Sequence, residues 1–89
     1  MTGSEARRLV SAGALLVDVR TPEEWASGHL KGAINIPLQE LEQRLAELGS
    51  RDRSIVLYCH SGNRSSQARR LLERAGFSAV YDLGAMSRW

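Results

Sequence analysis

An α/β fold built around a parallel sheet is what this sequence predicts, and three observations predict it. Short apolar or β-branched runs recur near residues 15–19, 33–36, 54–58 and 79–83, and helical periodicities lie between them. Glycine and proline mark most of the changeovers. Strands alternating with helices are joined by crossovers, which makes neighbouring strands parallel. With 89 residues and 43% apolar content, the chain has room for one compact core, so one domain over residues 1–89 is expected.

Taken in order, Ser4 is placed to cap a first helix over residues 4–12 carrying Glu5, Ala6, Leu9 and Val10, and Gly13 sits where a left-handed residue ends it. Leu15-Leu16-Val17-Asp18-Val19 is too short for a helix and reads as a buried strand, with Asp18 and Arg20 at its C-terminal end. Thr21-Pro22-Glu23-Glu24 joins a capping threonine, a proline at the first helical position and a glutamate at the third, so a short helix starts here and ends by Gly28. Trp25 on that helix is read as core. His29-Leu30-Lys31-Gly32 is a turn, and Ala33-Ile34-Asn35-Ile36 is a brief strand stopped by Pro37. Leu38, Leu41, Leu45 and Leu48 recur at helical spacing among charged residues, which predicts an amphipathic helix ended by Gly49. Arg51-Asp52-Arg53 is a solvated turn before the central strand, 54–58. Ala68, Leu71, Leu72 and Ala75 mark the buried face of a helix from Ser65 to Ala75, stopped by Gly76. Ala79-Val80-Tyr81-Asp82-Leu83 is a last strand, after which Gly84-Ala85-Met86 turns back. Ligands in such sheets bind beyond the C-terminal strand ends, a rim that gathers Asp18, Arg20, Asn35, Cys59 and Gly84.

Composition excludes several roles. The net charge of +2 rests on eleven arginines and Lys31, scattered along the chain, so neither a nucleic-acid partner nor a membrane surface is expected. No segment approaches transmembrane length, and no basic stretch followed by an apolar one opens the chain. A soluble cytoplasmic protein is expected, or a periplasmic one if a signal peptide has been removed. The single cysteine rules out an internal disulfide, and one cysteine with two distant histidines does not make a metal site. No metal and no cofactor are expected.

Cys59 closes the run Ile55-Val56-Leu57-Tyr58 and is followed by His60-Ser61-Gly62-Asn63-Arg64-Ser65 and a helix. A strand tip, a short polar loop and a helix N-terminus together form an anion pocket around one thiol. Gly62 permits a positive φ, Arg64 can fix the loop or face an anion, and the loop N–H groups can stabilise a thiolate or the outer sulfur of a persulfide. Cys59 is therefore the candidate nucleophile, not an inert buried thiol. Cysteine phosphatases hold a phosphoryl group in a C-x5-R loop, which needs arginine at position 65, where this chain has Ser65. The tighter loop suits one added sulfur atom better.

Cys59-His60-Ser61-Gly62-Asn63-Arg64 matches the C-x-x-G-x-R loop of single-domain rhodaneses, which the chain resembles from about Leu15 to Trp89. The runs Asp18-Val19-Arg20 to Glu24-Trp25 and Gly28-His29-Leu30 to Asn35-Ile36-Pro37 are similar to the family's DVR-x-x-x-E-[FYW] and GH-[IL]-x-GA-x-N-[IL]-P signatures. The resemblance implies a five-stranded parallel sheet with helices on both faces. It also implies thiosulfate sulfurtransferase activity, in which Cys59 takes a sulfane sulfur from a small anionic donor and passes it to cyanide or a thiol, a thioredoxin-like protein included. In that reading the backbone of His60, Ser61, Gly62, Asn63, Arg64 and Ser65 holds the outer sulfur. Arg20 matches a donor-binding position and Asp18 orients loop groups, with a purely structural Asp18–Arg20 ion pair as the equal alternative. His29 belongs to a structural turn, and His60 sits at the pocket mouth, where its charge tunes donor preference.

Two departures bear on substrate. The loop carries His60 where some rhodaneses have a strong cation, which weakens binding of doubly charged thiosulfate, and Gly84-Ala85 replaces a frequent glycine pair, narrowing the pocket. A sulfur-relay module acting on protein thiols is the alternative function. A cysteine phosphatase or arsenate reductase ranks below it.

Overall fold

The computed structural model describes residues 1–89. Four strands, β1 (Leu15–Asp18), β2 (Ile34–Asn35), β3 (Ile55–Cys59) and β4 (Val80–Ala85), form one parallel sheet in the order β2-β1-β3-β4. The fold class matches expectation, but the strand count is four, not the five implied by the family resemblance. The sequence offers four extended runs and each becomes a strand, while the residues before β1 form helix α1 (Gly3–Ser11), which packs Ala6 on the sheet. Its cap also differs: Thr2, not Ser4, accepts from Glu5 N–H at 3.1 Å, while the Glu5 carboxylate accepts from Thr2 N–H.

Alternation along the strands divides the core. Val17, Ile55, Leu57 and Cys59 face α3 (Asn63–Arg74) and the 38–48 segment, joined by Leu41, Leu48, Ala68 and Leu72. Leu16, Val56, Tyr58 and Leu83 face α1, with Leu9, Met86 and Trp89 packed against them. Helices thus cover both faces. Each fully buried leucine in these layers contributes roughly 1.5–3 kcal/mol.

The 38–48 segment is not the regular α-helix its leucines predict. It is two 3₁₀ stretches joined at a kink, with Arg44 at φ −118° and ψ 23°. Leu38 and Leu41, and again Leu45 and Leu48, are three apart, the repeat of a 3₁₀ helix, and the four-residue step between the pairs spans the kink. Arg44 bridges Glu40 and Glu47 across the break. Leu41 and Leu48 still reach the core.

Two further expectations change. Gly84 and Ala85 do not turn back but continue β4, pairing with Tyr58 and Cys59 beyond a register shift. Trp25 is not core. It lies half-buried on α2 (Pro22–Ala26) and stacks on exposed His29, ring centroids 3.4 Å apart. The His29 Nδ1–H donates to the Trp25 carbonyl at 3.0 Å, the turn role expected of that histidine.

Candidate active site

Helix α3 starts with Gly62 as its N-cap at φ +99°, a conformation glycine adopts without a Cβ penalty. That turn points backbone N–H groups back at the strand tip. Gly62 N–H donates to Cys59 Sγ at 3.0 Å and Ser65 N–H at 3.4 Å. The Ser65 hydroxyl oxygen lies 3.6 Å from Sγ and donates its own proton to the Gly62 carbonyl at 3.1 Å. Cys59 and Ser65 are both fully buried. Burial pushes the Cys59 thiol up, but the Ser65 N–H and hydroxyl and the N–H groups of Gly62 and Arg64 outweigh it, and the net shift is downward. The loop packs on β4: a Cβ at position 62 would stand 3.5 Å from Gly84 Cα.

Arg64 does not face the cysteine cradle as a free cation. Its Nη1 and Nη2 donate to both carboxylate oxygens of Glu24 at 2.6 and 2.9 Å. Glu24 Oε1 also accepts from the Thr21 N–H at 3.0 Å, so one carboxylate caps α2 and ties that helix to the loop. Arg64 and the Thr21 N–H hold the Glu24 carboxyl down to about 2. In the sequence Glu24 reads as a helix cap and as the glutamate of the DVR-x-x-x-E signature, with no tie to the loop. No local pattern could reveal the second role, since its partner lies 40 positions away.

Arg20 is likewise engaged. It meets Asp18 at 2.7 Å with side-chain exposures of 7% and 0%, and its Nη2 donates to the Gly28 carbonyl at 2.7 Å. Asp18 also accepts from the Arg20 backbone N–H, and Asn35 Nδ2 donates to the carbonyls of Asp18 and Arg20. Arg20 sits 5.8 Å above the Tyr58 ring. Tyr58, pushed up to about 12 by burial, accepts the Leu30 N–H through its hydroxyl.

Beside the loop a cleft of about 530 Å³ is lined by Arg20, Ser27, Gly28, His60, Met86 and Ser87. His60 is exposed and stands at this mouth, while Ser61 and Asn63 are exposed on the loop. Ser27, Met86 and Ser87 were not singled out from sequence, having no motif of their own. A hollow of about 540 Å³ between α1 and Tyr81 carries no nucleophile and lies away from the strand C-termini. No three metal-ligating side chains cluster anywhere, and no helix is long and apolar enough to cross a membrane.

The arrangement stabilises a buried sulfur anion by backbone N–H donors and the Ser65 hydroxyl, and leaves a cleft at its mouth. Known proteins share the sequence pattern and the fold. The family profile for the Rhodanese-like domain matches residues 2–89. The chain is 37% identical to thiosulfate sulfurtransferase PspE of Escherichia coli, over 79% of this chain and 68% of that protein. It is 42% identical to the uncharacterized protein YqhL of Bacillus subtilis, over 85% of this chain but only 60% of YqhL's length. Among solved structures, the human single-domain sulfurtransferase TSTD1 superposes with a TM-score of 0.83 at 30% identity, covering 100% of this chain and 89% of that one. A rhodanese from E. coli solved with anions superposes with a TM-score of 0.82 at 33% identity, covering 86% and 92%.

Proposed function

The chain belongs to the rhodanese-like family, and from that membership we propose that it is a sulfurtransferase carrying sulfane sulfur on Cys59. One observation supports this most: a fully buried thiol receives backbone N–H donors from Gly62 and Ser65 at the start of α3. Such a cradle favours the thiolate, the form that attacks, and it suits the anionic outer sulfur of a persulfide equally.

In the first half-reaction the Cys59 thiolate attacks the outer sulfur of thiosulfate. An S–S bond to Cys59 forms, the S–S bond within the donor breaks, and sulfite leaves with the bonding pair. Cyanide or a thiolate then attacks the outer sulfur, and the Sγ–S bond breaks with its pair returning to Cys59. No general base is required once the thiolate exists. The rim contributes steering by His60 and a body-binding cleft floored by Met86, Ser27 and Ser87. Arg20 and Arg64 are both paired to carboxylates, so the dianion is held chiefly by loop N–H groups, with Arg88 beside Gly84 as the guanidinium that has no carboxylate partner. A second reading is relay of sulfur to a protein thiol: YrkF of B. subtilis, named a putative sulfur carrier protein, is 41% identical over 76% of this chain and 36% of its own length. Phosphate ester hydrolysis is disfavoured because the arginine of the cysteine loop, Arg64, is paired to Glu24.

The test is thiocyanate production from thiosulfate and cyanide. Wild-type protein turns over and Cys59→Ser does not, although the variant melts at the wild-type temperature. Turnover by Cys59→Ser would remove Cys59 from the mechanism.

A further inference from the structure

The Ser65 hydroxyl is the one side-chain polar group in contact with the Cys59 sulfur. A hydroxyl has a single proton to give. Here two acceptors compete for it, the Gly62 carbonyl at 3.1 Å and Cys59 Sγ at 3.6 Å. With Cys59 as a thiol, the geometry has the Ser65 proton on the Gly62 carbonyl and the S–H directed at Ser65. Ionisation removes the S–H and leaves an oxygen lone pair facing a negative sulfur, an arrangement that costs energy in a site closed to water.

Resting on the sulfur-transfer reading above, we propose that Ser65 is a catalytic two-position donor. Its hydroxyl bonds the Gly62 carbonyl while Cys59 carries a proton or an extra sulfur, and turns onto Sγ when Cys59 departs as a thiolate. The turn needs only rotation of the hydroxyl proton, since both acceptors are already within reach. Nor does it orphan the carbonyl. Gly62 C=O also accepts the Ser66 N–H at 3.2 Å, and that bond remains. Ser65 is fully buried, so no solvent molecule substitutes for it.

During discharge, the acceptor sulfur or cyanide carbon bonds to the outer sulfur, the Sγ–S bond breaks, and its electron pair stays on Sγ. No proton changes owner. The Ser65 O–H, released from Gly62, meets the new charge. In loading, the same bond is given up as the thiolate attacks. Removing the hydroxyl therefore acts unequally on the two half-reactions: the attacking sulfur becomes scarcer but more nucleophilic, whereas the departing sulfur simply leaves more slowly.

Ser65→Ala and Ser65→Thr test this, with circular dichroism melts to verify folding. Two readouts are taken on each: the pH dependence of Cys59 alkylation by iodoacetamide, and single-turnover loading from thiosulfate and discharge to cyanide above the alkylation midpoint. In Ser65→Ala the midpoint rises by about one pH unit and discharge slows about tenfold, the loss expected for one hydrogen bond to a charge, while loading changes far less. Ser65→Thr, which keeps the hydroxyl, restores discharge relative to Ser65→Ala. An unmoved midpoint in a folded Ser65→Ala, or equal slowing of both half-reactions, overturns the proposal. If wild-type protein fails to load at all, the sulfur-transfer reading falls, and the alkylation midpoint alone still decides whether the hydroxyl bonds the thiolate.

Discussion

At the tip of β1, Arg20 and Asp18 form a pair almost sealed from water, whereas at the start of α3 Arg64 meets Glu24 with about a third of each side chain exposed, 32% and 33%. The two pairs occupy the same rim and differ in what they do. The buried pair is tied at several points, to the Arg20 N–H, the Gly28 carbonyl and, through Asn35, the carbonyls that end β1. Buried and held at all these points, it fixes the strand end. The exposed pair spans 40 positions and holds a helix cap against the cysteine loop, so its weight falls on positioning. Together they tie up two guanidinium groups of the rim, while Arg88 beside Gly84 has no carboxylate partner.

Breaking the buried pair has the largest effect. Asp18→Ala strands the Arg20 charge beneath the surface and lowers stability by roughly 3–5 kcal/mol, read from urea unfolding. A loss below about 1 kcal/mol, the range of surface pairs, would erase the contrast. Next comes the loop itself. Gly62→Ala forces a side chain into φ +99° and against Gly84, at a cost of about 1–2 kcal/mol, and displaces the N–H that meets Sγ, so the thiol titrates higher. An unchanged alkylation midpoint would detach Gly62 from the cradle.

The exposed pair gives the smallest stability change. Glu24→Gln costs no more than about 1 kcal/mol, yet loading slows about tenfold because the loop is less firmly placed. Its pH signature is distinct. The Glu24 carboxyl lies near 2 in the folded protein, below its ordinary 4.5, so its contribution is complete above 4.5 and is lost as pH falls through 2. Glu24→Gln flattens that part of the stability curve, and parallel wild-type and variant curves between pH 4.5 and 2 would contradict the tether.

What the sequence made legible follows from range. Thr21 with Glu24, the β1 and β3 runs, and the strand-loop-helix around Cys59 are local patterns, and the structure has them where the residues place them. The Leu38–Leu48 spacing is local too, but steps of three and four fit an α-helix and a kinked pair of 3₁₀ turns equally, and both bury Leu41 and Leu48. The engagement of Arg64 by Glu24, and of Arg20 by the Gly28 carbonyl, depends on how the strands order, which no short window contains. Nor did the missing fifth strand show itself, because the family pattern stood in for a count of extended segments.

Intact-mass spectrometry of the reduced protein before and after thiosulfate, with Cys59→Ser alongside, tests the central claim most directly. A gain of about 32 Da, one sulfur atom, that cyanide removes and the variant never acquires is the predicted result. An unchanged wild-type mass, or the same gain on Cys59→Ser, would contradict sulfur carriage on Cys59.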